Sequence, residues 1–177
     1  MDLGHRGDYG WDDTFAECTN LKTVTASSKL ERIGYRAFLS CSNLEDITGL
    51  TGTITIAGEA FKNCTKLKPS NFTNVIFTYD NISDKFKSSA FYGCSLLTSL
   101  AFTNVTELAE GTCNGCTSLS SVSGISNVTI FGNSVFNGCT NLSLTQNDIQ
   151  SATSIGEGTF WDTQLSGNIS LSLTNLG

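Results

Sequence analysis

The stretch Ala37-Phe38-Leu39-Ser40-Cys41-Ser42-Asn43-Leu44-Glu45-Asp46-Ile47 decides the fold, because it returns in variant form six more times along the 177 residues. Its cysteine position recurs at spacings of 23, 23, 30, 22, 23 and 24 residues, at Cys18, Cys41, Cys64, Cys94, Cys116, Cys139 and Thr163. A period of this length is typical of a solenoid. We therefore predict a single domain, residues 1–177, built from about seven repeats of mostly 22–24 residues.

Apolar residues stand three positions apart around each cysteine. The residue three positions before it is phenylalanine in every copy except the fifth, where Cys113 stands, and a leucine follows three positions after it in the first six copies. A spacing of three places side chains on one face of a tight helical turn. We therefore predict, in each repeat, a short helical or 3₁₀ turn whose Phe, Cys and Leu side chains point into the core.

An alternating stretch follows each leucine and predicts a short strand. Val24, Ile47, Leu100 and Val122 stand three residues after their leucines and are expected to face inward. A second strand-like segment precedes each phenylalanine. Because no single repeat could bury its apolar face alone, stacking of neighbouring repeats must supply the core. The predicted fold class is an α/β repeat solenoid, with a parallel β-sheet on one side and the short turns opposite.

The distribution of charge argues against nucleic-acid binding. The net charge is −6, and every Lys and Arg lies at or before Lys87. The second half therefore cannot carry the basic stripe that follows a phosphate backbone. No apolar stretch approaches the roughly 18 residues of a membrane-spanning helix, so we expect no membrane span.

The motif Cys113-Asn114-Gly115-Cys116 would, on its own, indicate metal or redox chemistry. The repeat explains it better, because Cys116 occupies the cysteine column and Cys113 the phenylalanine column. His5 is the single histidine, which leaves no convincing general base or zinc-ligand set. No phosphate-binding loop or dinucleotide fingerprint occurs. We expect no enzyme activity, metal or cofactor, and we predict seven free, buried thiols.

The run from Ile33 to Ile47 resembles the BspA-like leucine-rich repeat of the treponemal type, whose consensus is I-G-x-x-A-F-x-x-C-x-x-L-x-x-I. The resemblance covers about residues 10–165, although the Ile-Pro pair common after the leucine is missing. It implies a curved solenoid with the parallel sheet on its concave side and an extracellular or cell-surface location. It also implies adhesion, with a protein or glycan on a host or neighbouring cell as the partner.

Two regions are candidate binding surfaces. One is the set of outward strand positions, and the other is an insertion around residues 70–81 that lengthens the third repeat to 30 residues. The candidate residues are Thr23, Thr25, Asp46, Thr48, Ser99, Ser121 and Ser123 on the strands, and Phe72, Phe77 and Tyr79 in the insertion. The strand positions lack aromatic and arginine anchors, which favours a merely solvated face. The alternative for the insertion is a slightly longer strand packed on the core.

The predicted function is that of a non-enzymatic macromolecular recognition module, and the alternative is a structural spacer or stalk with no ligand of its own. The segment Ile169–Leu173 alternates like one more strand. Open strand edges at the ends of the array favour edge-to-edge self-association. Trp11 and Trp161, in the first and last copies, are expected to help seal those ends.

Overall fold

The computed structural model describes residues 13–68, 88–102 and 105–177 in full, and the backbone alone of residues 2–3 and 75–79. These residues form a parallel-strand solenoid of about six turns, which confirms the predicted fold class. Most repeats contribute two short strands and a compact turn within the described residues. Like strands of successive repeats pair in parallel, so the array carries two strand ladders.

Ladder A consists of the strands that follow the leucine column. Its members are β2 (Thr23–Thr25), β4 (Asp46–Thr48), β7 (Ser99–Ala101), β9 (Ser121–Ser123), β11 (Ser143–Leu144) and β13 (Gln164–Leu165). They pair as β2–β4, β7–β9 and β11–β13, with Val24 opposite Ile47 and Leu100 opposite Val122. Ile47 and Leu100 are buried and Val24 and Val122 half-buried, so these side chains face inward as predicted.

Ladder B consists of the strands that precede the phenylalanine column. Its members are β1 (Asp2–Leu3), β3 (Arg32–Ile33), β5 (Gly52–Ile56), β6 (Val75–Tyr79), β8 (Glu107–Leu108), β10 (Ile130–Phe131), β12 (Ser154–Ile155) and β14 (Asn175–Leu176). They form two four-stranded sheets, β1-β3-β5-β6 and β8-β10-β12-β14. The last strand is therefore Asn175–Leu176, and the alternating segment Ile169–Leu173 is not a strand.

The turn that carries Phe and Cys is tighter than the predicted helical turn. It is closed by bonds between residues three apart, such as Cys41 N–H to Phe38 O at 3.1 Å. Ser40, two residues after Phe38, has a φ of 56°, and the equivalent residue has a positive φ in every repeat. A left-handed residue ends a right-handed helix at once. The turn is consequently a series of separate reverse turns.

Backbone hydrogen bonds between repeats form a further ladder through these turns. The Phe38 N–H donates to Ala60 O at 2.8 Å, and the Ser40 N–H donates to Lys62 O at 2.7 Å. The same pair of bonds recurs at the later turns. The polar backbone groups of a non-helical turn are thus satisfied by the next repeat, which is why the turn is stable only in the array.

The phenylalanine column is a stack of rings. Phe15, Phe38, Phe61 and Phe91 follow one another at centroid distances of 5.4, 5.4 and 5.5 Å, with planes within 12° of parallel. Cys113 interrupts the stack. Phe102 packs edge-on against Phe91 at 6.4 Å on one side of this interruption, and Phe131 packs against Phe136 at 6.5 Å on the other.

Two short helices lie between the two strands of a repeat in the described part of the chain. They are the 3₁₀ turn Ile125–Asn127 and the four-residue helix α1 (Gln146–Ile149). A capping box holds the start of α1, since the Asp148 carboxylate accepts from the backbone N–H and the hydroxyl of Thr145. None of the helices described here is long and apolar enough to cross a membrane.

The last repeat of this sequence carries an apolar end surface. An apolar groove of about 440 Å³ lies there, lined by Ile149, Ile155, Phe160, Leu165, Ile169, Leu171, Leu173 and Leu176. Leu176 is 70% exposed. Edge-to-edge self-association through this end stays a prediction.

Candidate interaction surface

The strand-face candidates of ladder A point outward, and pairing gathers them into two groups. The first group, on β2 and β4, contains Thr23, Thr25, Asp46 and Thr48, with Thr23 opposite Asp46 and Thr25 opposite Thr48. The Thr48 hydroxyl donates to that of Thr25 at 3.3 Å. The second group, on β7 and β9, contains Ser99, Ser121 and Ser123, all at least partly exposed. Their role in binding stays a prediction.

Many other Ser and Thr hydroxyls donate hydrogen bonds to backbone carbonyl oxygens of the neighbouring repeat. At the position after the cysteine column, Thr65 donates to Ser42 O at 3.3 Å and Thr140 to Thr117 O at 3.4 Å. Before ladder B, Thr153 donates to Thr129 O at 3.1 Å. The abundance of hydroxyl residues therefore has a structural cause at these positions, and it does not by itself indicate a ligand.

The insertion of the third repeat contains strand β6. Its five residues pair with β5, from Gly52 opposite Val75 to Ile56 opposite Tyr79. The backbone around Phe77 is therefore a strand, as the alternative interpretation of the insertion expected. Phe72 lies outside the described residues. A binding role for Phe72, Phe77 and Tyr79 stays a prediction.

The cysteine column is structural. The thiols donate to the carbonyl oxygen of the phenylalanine-column residue in the preceding repeat, as Cys64 does to Phe38 at 3.0 Å and Cys139 to Cys113 at 3.1 Å. All seven cysteines are free. Burial raises the pKa of Cys41 to about 11 and raises those of Cys64, Cys94, Cys113 and Cys139 further, so these thiols stay protonated at neutral pH.

Cys18 does not follow the prediction of a buried thiol, because it is exposed in the first repeat. Later thiols of the column reach a carbonyl one repeat back, as Cys41 does to Phe15 O at 2.9 Å. The C-x-x-C pair, by contrast, is fully buried, and the Cys116 thiol donates to Phe91 O at 3.1 Å. Within the described ranges, no group of three or more His, Cys, Asp or Glu side chains could hold a metal ion.

The turn surface carries a charged cluster in its first half that sequence reasoning did not single out. Glu59 accepts from Arg36 Nε at 2.6 Å and from Lys62 Nζ at 2.8 Å. Burial alone would raise the pKa of the Glu59 carboxyl, but Lys62 and Arg36 together outweigh burial and hold this pKa below its ordinary value. The Lys62 ammonium also lies 5.5 Å from the centre of the Tyr92 ring, a cation–π contact.

The turn surface of the last three repeats carries a polar groove of about 300 Å³. It is lined by Glu110, Asn133, Ser134, Asn137, Glu157, Gly158 and Trp161. Trp161 is 67% exposed, so the expectation that it seals the end of the array is wrong. Its position directly after the phenylalanine column, shared with Lys62 and Tyr92, was the signal in the sequence that could have placed it on this surface.

Stacked parallel repeats with an internal Phe-Cys-Leu turn and an exposed polar strand face define a leucine-rich-repeat class of protein. Residues 11–82 and 68–177 match the BspA type leucine-rich repeat region, in six copies. The chain therefore belongs to this family, which confirms the resemblance read from the sequence.

Solved structures agree with this assignment. A leucine-rich repeat protein from Bacteroides ovatus has 26% identity and a TM-score of 0.57, over 93% of this chain and 47% of that one. A leucine rich cell surface protein from Faecalibacterium prausnitzii has 23% identity and a TM-score of 0.56, over 72% of this chain and 39% of that one. This chain thus covers less than half the length of either protein. A comparison with curated proteins finds no match.

Proposed function

We propose that this chain is a non-enzymatic recognition module of a cell-surface protein, and that it binds a protein or glycan on a host or neighbouring cell. The fold supports an interaction role, because a repeat array presents broad, rigid surfaces formed by equivalent positions of successive repeats. A surface location is supported by the Faecalibacterium prausnitzii protein of the same fold, which is a cell surface protein.

The observation that carries the proposal is the fixed register of ladder A. Because Thr23 lies opposite Asp46 and Thr25 opposite Thr48, four polar side chains stand in two rows on adjacent strands. Their backbone is held by parallel pairing, so little conformational entropy remains to be lost when a ligand binds. The face has the hydroxyls of Thr23, Thr25 and Thr48 as hydrogen-bonding groups, which suits a polar ligand, whereas Asp46 Oδ1 is buried.

Binding of the purified chain to immobilised extracellular-matrix proteins and cell-surface glycans tests the proposal. We expect saturable binding that weakens when Thr23, Thr25 and Thr48 are changed together to alanine. The matched control is the pair Asn141→Ala and Asn147→Ala, since both side chains are exposed elsewhere on the array. Absence of saturable binding to either panel would refute the proposal and favour a spacer or stalk.

A further inference from the structure

The turn surface contains one arrangement in two versions, one of which is incomplete. The column directly after each phenylalanine-column residue includes Lys62, Tyr92, Asn137 and Trp161. Equivalent backbone bonds join the residue after one member to the next member: Asn63 N–H donates to Tyr92 O at 2.7 Å, and Gly138 N–H donates to Trp161 O at 2.9 Å. Lys62 is therefore placed relative to Tyr92 as Asn137 is placed relative to Trp161.

In the first version, the protein supplies its own cation. The Lys62 ammonium lies over the Tyr92 ring and bonds to Glu59. One positive charge thus contacts both an aromatic ring and a carboxylate. The residue that carries this charge immediately precedes the aromatic residue in the column. This is a favourable combination, because the negative face of the ring and the carboxylate attract the same group.

In the second version, the aromatic ring and the carboxylates are present without a cation. Trp161 replaces Tyr92, Asn137 stands where Lys62 would be, and Ser134 stands where Glu59 would be. The carboxylates come instead from the preceding position in the two adjacent repeats. Glu110 and Glu157 line the same groove, and neither forms an ion pair with another described residue. The sequence has no Lys or Arg after Lys87, so the three repeats that line the groove contain no basic side chain of their own.

The groove is shaped by Gly158. A Cβ at this residue would lie 3.4 Å from Asn137 Nδ2, 3.5 Å from Ser134 Oγ and 3.9 Å from Trp161 Cε3. Two polar atoms and the indole edge therefore converge on a position that has no side chain. Asn133 is oriented as well, because its Oδ1 accepts from the Glu157 backbone N–H at 3.0 Å.

We propose that the groove formed by Glu110, Asn137, Glu157, Gly158 and Trp161 binds a lysine or arginine side chain from a basic segment of a partner protein. The proposal rests on the proposed function and specifies its partner. Charge complementarity favours a cation over a neutral sugar, since two carboxylates with no ion-pair partner among the described residues attract a positive group. The exposed tryptophan supplies the aromatic anchor that the strand face lacks.

A fluorescence titration of the full chain tests this proposal. Trp11→Phe leaves Trp161 as the single tryptophan and hence as the reporter of the groove. The probes are four synthetic Gly-Ser peptides that carry three lysines, three arginines, three norleucines or three glutamates, together with a neutral pyranose hexasaccharide. We expect saturable changes with the lysine and arginine peptides, and none with the other probes.

Asn137→Lys is the decisive variant, because it places a cation where Lys62 stands in the complete version. The new ammonium should occupy the groove and weaken the lysine peptide about fivefold or more. Thr140→Lys is the matched control, since it adds the same charge at an exposed position of the same repeat that does not line the groove. It should weaken the peptide less than about twofold. Circular dichroism of both variants verifies folding.

Three results would overturn the proposal: equal binding of the norleucine peptide, equal weakening by Asn137→Lys and Thr140→Lys, or binding of the hexasaccharide in place of the basic peptides. The first indicates apolar contact, the second unspecific attraction and the third a glycan site. If binding to the matrix and glycan panels persists while the lysine peptide fails to bind, the recognition function stands and the basic-segment proposal fails.

Discussion

Replacing Cys113 by phenylalanine restores the repeat consensus, and we predict that it nevertheless destabilises the protein. The stacked rings of the column lie 5.4 to 5.5 Å apart up to Phe91, so a phenyl group at position 113 would need the space directly beyond Phe91. Phe102 packs edge-on against Phe91. At the equivalent position, five residues after the leucine, the first, second, third, fifth and sixth repeats have Ala26, Gly49, Phe72, Gly124 and Asn147.

Phe131 shows the same compensation on the other side. It occupies the position held by Ile33, Ile56, Phe86, Leu108 and Ile155 in other repeats, and it is buried against Phe136. Two phenyl rings from neighbouring columns, Phe102 and Phe131, therefore lie on either side of the smaller Cys113. We infer that they have filled the volume that the missing ring would take, in keeping with the dense packing of protein interiors.

The sign of the free-energy change tests this reasoning. If the space were empty, a new buried phenyl would stabilise the fold by about 2 kcal/mol and ring stacking would add about 1 kcal/mol. If the space is filled, overpacking costs about 3 kcal/mol. For a chain of this size, 3 kcal/mol corresponds to a fall in Tm of roughly 6–12 °C.

A double-mutant cycle identifies the cause. Phe102→Ala alone should cost about 3–5 kcal/mol as a cavity mutation. Combined with Cys113→Phe, the total should be smaller than the sum of the single changes by about 1–3 kcal/mol, because each change relieves the other. Urea unfolding followed by circular dichroism measures all four proteins. A stabilising Cys113→Phe, or a coupling free energy of zero, would refute the reasoning.

Three further predictions concern the thiols, the charged cluster and a close backbone contact. Ellman's reagent should modify one thiol quickly in the native protein, Cys18, because the other six are buried, and burial raises the pKa of Cys41 to about 11 and those of Cys64, Cys94, Cys113 and Cys139 further. After denaturation without reductant, the reagent should modify all seven. Glu59→Gln should cost about 1 kcal/mol at pH 7, and the difference from the wild type should vanish in acid. Gly49→Ala should cost about 1–3 kcal/mol more than Gly52→Ala, since both glycines have positive φ but only at Gly49 would the new Cβ clash, 2.3 Å from Ala26 O.

Each of these predictions has a clear contrary result. Fast modification of several native thiols would show that the cysteine column is accessible. For Glu59, the lowered pKa means that its stabilisation is complete above about pH 5 and is lost as the pH falls through the folded-state value. A pH-independent effect of Glu59→Gln would therefore contradict the role of the two cations. An equal loss of stability in the two glycine variants would show that the backbone at Ala26 shifts to accommodate the new Cβ.

The sequence predicted the parts of this protein that every repeat shares. The columns of Phe, Cys and Leu and the inward strand residues such as Ile47 could be identified because the same physical requirement recurs at each period, so that the copies confirm one another. The family could be predicted from the same columns. The outward direction of the Thr23 and Thr48 side chains could be predicted from the inward residues, since alternate residues of a strand face opposite sides.

Interactions between neighbouring repeats determined the rest. The left-handed residue two positions after each phenylalanine could not be predicted from the sequence, because this position is filled by residues as different as Glu17, Ser40, Asn63 and Gly93. It is tolerated because its N–H finds a carbonyl in the next repeat.

By itself, then, the sequence determined the repeat, its core columns and its family, because burial depends on patterns that are periodic along one chain. Only the tertiary structure decided that Cys18 is exposed, that Phe102 and Phe131 lie beside the interruption at Cys113, and that Trp161 joins Glu110 and Glu157 around one groove. Glu110 and Trp161 are 51 positions apart in the chain. They meet because stacking brings equivalent positions of successive repeats together, and which side chains then face each other depends on contacts between repeats.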